Sequence, residues 1–332
     1  MLKLNRNMIK VICFSLVFCV LLNGFSFVLR DKTNSEFISG FENEPTNSLD
    51  VIFLGSSMSY RHVYPLDLWH DYGITSYNLG TSEQTIPMSY YLLQYALEKQ
   101  NPKVIVLDIG MCTIENKKFS DARLHQIWDN LSWSYPKCKS VFDLAEDPET
   151  FYFELLLYHT RWKKITISDF LQQTDNYKGA GFYLQTMPFE DVEILDKTVK
   201  EKPPEVVMEY LQKIITLCKD NNIKLVLTGM PTYKDSQYRQ KLFNYIENFA
   251  EIENIDFVNF YFLMDELGLN WKSDFADKMH LNFLAAQRVT KYLGEYLKEN
   301  YTLSDHRDEV KYMSWNDAWN KYQRNYMRIL GD

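Results

Sequence analysis

Five short apolar, β-branched runs punctuate the chain: VIFL from Val51, ITSYNL from Ile74, KVIVLDI from Lys103, IKLVLTG from Ile223 and IDFVNF from Ile255. Continuous apolar runs of this length are the pattern of strands buried on both faces. Helix-compatible sequence separates them, so the order strand, helix, strand predicts a parallel sheet covered by helices on both sides. Two helices are marked by their periods and ends. PPEVVMEYLQKIITLCKDNN starts on two prolines, repeats apolar positions at Val207, Leu211, Ile214, Ile215 and Cys218, and stops at Asn221 and Asn222. NFLAAQRVTKYLGEYLKEN carries a stripe at Ala285, Val289, Tyr292, Leu293 and Tyr296, which faces a core.

One separation is far longer than the others. From about Cys112 to Glu201 the chain is rich in aromatics and includes ETFYFELLLYHTRWKKITISDFL, so a helical cap inserted after the third strand is expected rather than a structureless loop. The main domain is expected over residues 50–300. The tail, 301–332, holds Tyr312, Trp315, Trp319, Tyr322 and Tyr326 and is expected to pack as a helix on the domain.

The amino terminus changes the picture. Nineteen residues from Val11 to Leu29 carry no charge, and a helix of that length spans about 28 Å, close to the hydrocarbon thickness of a bilayer. Lys3, Arg6 and Lys10 precede it, which by the positive-inside rule keeps the short amino terminus cytoplasmic and exports the rest. An uncleaved single-pass anchor over residues 1–30 is expected in preference to a signal peptide: the stretch exceeds a signal core, and NGFSFVLRDK has no small-x-small cleavage site. The polar residues 31–49 read as a stalk.

Composition narrows the function. A hydrophobic content of 46% supports a large core, and the formal net charge of −8, with both signs interspersed, gives no basic stripe for nucleic acid. The five cysteines are sparse, two of them within the apolar amino-terminal segment, and no set of residues has metal-ligand spacing, so neither a disulfide scaffold nor a metal or other cofactor is expected.

Two short stretches carry candidate chemistry. VIFLGSSMSY ends a strand at Gly55 and presents Ser56 and Ser57; SDFADKMHLNF sets Asp277 three residues before His280, just ahead of the last long helix. At that spacing a carboxylate accepts the proton on one imidazole nitrogen and leaves the other free as a general base, which needs a hydroxyl within reach. Loops at the carboxyl ends of parallel strands converge on one edge of a sheet, so the two stretches are able to meet. Either alone is commonplace: a serine after a strand-ending glycine is ordinarily a turn residue. Their joint order along an α/β pattern is what raises the functional reading.

With these residues in place, the chain resembles the SGNH/GDSL hydrolase superfamily from about Asp50 to Leu297, and in particular its membrane-anchored bacterial envelope members, which take part in teichoic acid D-alanylation and polysaccharide O-acetylation. The resemblance implies a flavodoxin-like three-layer α/β fold with Ser57 as nucleophile, Asp277 and His280 as its partners, and an oxyanion hole from the N–H groups of Ser57 and Gly80, the latter in SYNLGTSEQ. Two departures stand out. Ser56 replaces the usual aspartate, and LDIGMCTIEN has Gly110 and Met111 where the family has Gly-x-Asn-Asp, with Asn116 too far on to substitute.

Asp274 and His62 are expected to line the substrate cleft. His70, His125, His159 and His306 are read as surface or packing residues, and HQIWDNLSWSYPK as cap core or a sugar contact. The expected function is extracytoplasmic acyl-ester chemistry on a cell-envelope glycan or polymer, O-acyl transfer ahead of ester hydrolysis, with a multi-pass membrane acyltransferase as partner. A non-catalytic envelope scaffold or glycan-binding protein that keeps the fold is the alternative from another class.

Overall fold

The five apolar runs form five parallel strands in the computed structural model, which describes residues 5–30, 32, 35–151, 154–171 and 177–330. In chain order the elements before the sheet's midpoint are α1 (Arg6–Leu29), α2 (Ser35–Glu42), β1 (Val51–Leu54), α3 (Ser57–Tyr60), α4 (Pro65–Tyr72), β2 (Ser76–Asn78), α5 (Ile86–Leu97) and β3 (Val104–Asp108). The insertion contributes α6 (Asp121–Trp128), α7 (Tyr135–Leu144) and α8 (Glu154–Tyr158), with short 3₁₀ turns around them. The rest is α9 (Glu205–Asp220), β4 (Lys224–Gly229), α10 (Ser236–Glu253), β5 (Asp256–Asn259), α11 (Phe283–Asn300) and α12 (Met313–Leu330).

The strand order is β2-β1-β3-β4-β5, with Val51 opposite both Ser76 and Val104, and Val104 opposite Lys224. Every residue of β1, β2 and β3 is buried, which is why β1 and Val104–Leu107 of β3 are apolar without alternation; β2 instead buries Ser76 and Asn78 on either side of Tyr77. The β1–α4–β2 connection steps one way along the sheet and the later ones step the other way. Right-handed crossovers therefore put α4 on one face and α5, α9 and α10 on the opposite face. Accordingly α5 packs on α7 and α9, while α4 packs on α11 and α12. Between β1 and β3 the direction of winding reverses, and the carboxyl ends of those two strands border the crevice where such sheets place their ligand chemistry.

Two expectations about the periphery are corrected. Residues 35–49 are not a free stalk. Ile38 and Phe41 of α2 are buried, Phe41 meets Tyr77 edge-on at 5.6 Å, and Tyr77 Oη donates to the Phe37 carbonyl. Phe37, Ile38 and Phe41 share one helix face, a signal too short to stand out in a polar segment. The inserted region is also not helical throughout: residues 180–196 have no regular secondary structure and form a strap bonded to α3 and to the loop before α11. The strap is fastened at both sides. Gly181 N–H donates to the Tyr60 carbonyl, Met187 N–H to Phe275 and Phe189 N–H to Trp271.

The tail is tied down by aromatics. Trp315 is buried against Trp69 at 5.4 Å, Trp69 Nε1 donates to Asn316 Oδ1, and His306 Nε2 lies 2.8 Å from Asp50 Oδ2 at the start of the sheet. By contrast α1 stands apart from the core along most of its length, and it is long and apolar enough to cross a membrane.

Candidate active site

The site is built where β1 ends. Gly55 adopts φ +135°, a conformation open to glycine, and a Cβ there would lie 2.7 Å from Asp108 Cβ at the end of β3. The chain thus turns sharply over β3 and starts α3. Ser56 caps that helix: its Oγ accepts from Met58 N–H at 3.3 Å and donates to Asp108 Oδ2 at 3.1 Å. Ser57 follows as the first helical residue, half-buried, while Met58, Ser59 and Tyr60 turn inward. Burial drives the Asp108 carboxyl up to about 6, against the hydrogen bonds from Ser56 and Gly110 that favour its charge.

The second half comes from the loop before α11. Phe275 and Leu281 form an antiparallel bridge that pinches residues 276–280 into a tight turn. Asp277 sits inside it, with Oδ1 accepting the backbone N–H groups of Met279 at 2.7 Å and His280 at 2.9 Å. Both Asp277 oxygens lie 2.9 Å from His280 Nδ1, and His280 Nε2 lies 2.7 Å from Ser57 Oγ. A carboxylate only accepts, so Nδ1 carries the proton and Nε2 is left to receive the serine proton.

The electrostatics follow from this packing. Burial works against the Asp277 charge, but the hydrogen bonds from His280 and Met279 outweigh it and hold the carboxyl below its ordinary range. Burial lowers the His280 imidazole below its usual value; Asp277 pulls it back up in part, and the nearby Arg61 guanidinium pushes it down. Neutral His280 is therefore the resident form at neutral pH.

Three expected site residues are placed differently. Asp274 is buried, pairs with Arg288 and accepts from Asn270 N–H at 2.8 Å, so it braces the loop and does not face a ligand. His62 is also fully buried. Its Nε2 accepts Leu281 N–H at 2.9 Å, and its ring meets the edge of the His280 ring at 5.9 Å; it supports the base from behind. Gly80 N–H, expected to face the oxyanion, donates to Asn78 Oδ1 at 3.0 Å. An asparagine two residues back closes a local turn of this kind, and the same Oδ1 accepts Ser59 Oγ at 3.0 Å. Ser57 N–H remains as an orphan donor of the first turn of α3. Within HQIWDNLSWSYPK, Trp128 is core, donating to Ser140 Oγ at 2.8 Å, while Trp133 and Tyr135 are exposed.

Residues that the sequence did not single out complete the wall. Arg61, four positions after Ser57 and so on the same helix face, lies over the Tyr183 ring at 4.1 Å and donates to the Phe182 carbonyl at 3.0 Å. Tyr183, from the strap, is 5.1 Å from the His280 ring. A narrow pocket bordered by Tyr60, Gly80, Ser82, Phe37 and Arg123 opens beside this loop.

A serine, an imidazole and a carboxylate in hydrogen-bonded series at the carboxyl edge of a parallel sheet define the class: an α/β protein with the centre of a serine esterase-type enzyme. The fold is similar to solved GDSL-type and esterase structures. A GDSL-like lipase from Bacteroides thetaiotaomicron matches 75% of this chain and 87% of its own, at 14% identity and a TM-score of 0.40. An acetyl xylan esterase matches 74% of this chain and 98% of its own, at 14% identity and a TM-score of 0.39. A psychrotrophic esterase from a Pseudoalteromonas species matches 75% and 97%, at 13% identity and a TM-score of 0.36. No family model matches the chain. No curated protein matches it in sequence.

Proposed function

We propose that the protein is an extracytoplasmic serine acyl-ester enzyme that acts on a cell-envelope glycan or polymer, with transfer to a hydroxyl acceptor as its main reaction. The observation that carries the acyl chemistry is the 2.7 Å approach of His280 Nε2 to Ser57 Oγ, with Asp277 behind it. His280 takes the proton of Ser57 Oγ as that oxygen bonds to the acyl carbonyl carbon. The oxyanion that forms is met by Ser57 N–H. Collapse breaks the bond to the leaving oxygen or sulfur, which departs with the proton held on His280, and an acyl-serine remains. In the second half His280 deprotonates a glycan or polyol hydroxyl, which attacks the acyl-serine and releases Ser57 with its proton restored. Water in place of that hydroxyl gives hydrolysis.

The envelope assignment is supported by α1, a helix able to cross a bilayer, and by the basic residues Arg6 and Lys10 before its apolar stretch, which favour a cytoplasmic amino terminus. Transfer is supported by analogy with anchored relatives, and a multi-pass membrane acyltransferase is the natural source of the acyl group. The test is labelling of the full chain in nanodiscs with a fluorophosphonate, followed by acetyl-ester turnover with and without a glycan acceptor. Acceptor-dependent product and label on Ser57 are expected; an intact, folded protein without label at Ser57 would favour a scaffold.

A further inference from the structure

The residues after α8 present a concentrated apolar surface. Trp162 is 63% exposed, Ile167 85%, Phe170 60% and Leu171 61%, all within ten residues of one another. Lys163 and Lys164 are exposed between them, and Asp169 is the one acidic residue from His159 to Leu171 against Arg161, Lys163 and Lys164. Apolar side chains displayed beside lysines form the composition that settles into a headgroup boundary.

The position of this segment decides what covers it. Arg161 Nη1 donates to the Leu29 carbonyl at 2.8 Å and to the Arg30 carbonyl, both at the carboxyl end of α1. Its Nη2 holds Asp169 at 3.1 Å, the Asp169 carbonyl accepts Lys32 Nζ, and Lys32 lies 4.2 Å over the Phe27 ring. Asp169 also closes the 3₁₀ turn Ile167–Phe170 through a capping box with Thr166. A helix of 24 residues is about 36 Å long, a few ångströms more than a hydrocarbon core of about 30 Å. Its final turn therefore lies at the interface, and so does whatever is fastened to that turn.

We propose that residues 159–171 form a foot that inserts Trp162, Ile167 and Phe170 into the headgroup and acyl boundary of an anionic bilayer, next to the exit of α1. This rests on the reading of α1 as a membrane anchor. The foot makes the domain a body of fixed height and tilt instead of a bead on a tether. Phe37 is eight residues beyond Leu29, at most about 28 Å along the chain, and it stacks on Tyr60 at 5.4 Å, in the same short helix as Ser57. The foot thereby confines Ser57 to a layer near the membrane surface and selects acceptors that reach that layer.

The experiment is spin labelling of the full chain in nanodiscs containing phosphatidylglycerol. Cys13, Cys19 and Cys138, the exposed cysteines, are first replaced by alanine or serine. Labels are then placed singly by Ile167→Cys, Phe170→Cys, Leu16→Cys in α1 and Ile252→Cys in α10, the last 76% exposed. Power saturation is measured with oxygen, which concentrates in lipid, and with a water-soluble nickel chelate. At positions 167 and 170 the ratio of oxygen to nickel accessibility is expected to approach that at position 16 and to exceed that at position 252 several-fold. A lipid ratio at 16 with a water-like ratio at 167 and 170 overturns the foot and leaves the anchor intact. A water-like ratio at 16 overturns both. Low access to both reagents at 167 and 170 identifies a protein partner and overturns the lipid assignment.

Discussion

His280 Nε2 reaches Ser57 Oγ at 2.7 Å across 223 residues of sequence. The contact exists because β1 and the loop before α11 deliver their side chains to the same edge of the sheet. The two residues are expected to work as a unit with Asp277. Ser57→Ala and His280→Ala should each lower kcat on an acetyl ester by about 10³-fold or more, and the double variant should be little worse than either single one. Asp277→Asn leaves the shape but favours the other imidazole tautomer, so a loss of similar order is expected. Steady-state kinetics of the four variants check this, and additive losses would contradict a shared role.

The acid limb of the pH profile should sit low. Burial lowers the His280 imidazole below its ordinary value, with Arg61 adding to the effect and Asp277 opposing it. The base acts in its neutral form, which predominates above its own titration point, so kcat/KM should hold as pH falls through 6.5 and drop only below it. Removing the guanidinium by Arg61→Gln should move that limb toward higher pH. A kcat/KM profile from pH 4.5 to 8.5 measures both; a wild-type limb above 6.5 would contradict the burial argument.

The turn at Gly55 should be intolerant of a side chain. At φ +135° an alanine is strained, and its Cβ would come within 2.7 Å of Asp108 Cβ, in the buried base of the loop. Strain of this kind costs on the order of 1–3 kcal/mol, and relief requires moving the Ser56–Asp108 contact that sets the start of α3. Gly55→Ala is therefore expected to lower the melting temperature and to slow fluorophosphonate labelling of Ser57 together. Melting followed in parallel with labelling rate tests it; an unchanged rate would mean that the turn does not position the serine.

Ser57, Asp277 and His280 were legible in the sequence because each signal is local: a strand-ending glycine before two serines, and a carboxylate three residues before an imidazole. The central strands β1, β3 and β4 were legible because burial on both faces leaves apolar runs with little polar alternation, and β2 and β5 because apolar residues at and beside them extend the same pattern to the edges of the sheet. What escaped depends on partners distant in sequence or on backbone bonding. Asp274 looks like a loop carboxylate until Arg288 closes on it from the next helix. His62 sits near Ser57 in sequence, but the bend after α3 turns it inward, onto the backbone beyond His280. Gly80 fits its motif by position, yet the neighbouring Asn78 side chain already holds its N–H. The strap has no period to read, since an irregular segment held by scattered single bonds to α3, to the loop before α11 and to α10 leaves no pattern of its own.

The stability of the domain should fall between mildly acidic and neutral pH because of one buried carboxyl. Asp67, on α4, is packed beneath α11 and α12; burial raises it to about 7, and hydrogen bonds from Gln287 and Tyr322 only partly favour its charge. A carboxyl whose folded value is raised binds its proton more tightly in the fold than in the unfolded chain. Its favourable contribution is full below its unfolded value, near 4, and is lost as pH rises through about 7. Asp67→Asn keeps the shape and removes the titration. At pH 8 the variant should be more stable than the natural protein by on the order of 4 kcal/mol, and the gap should shrink toward pH 5. Denaturant midpoints of the full chain at those two pH values decide it: a gap that stays constant would mean that Asp67 is already charged at the lower pH.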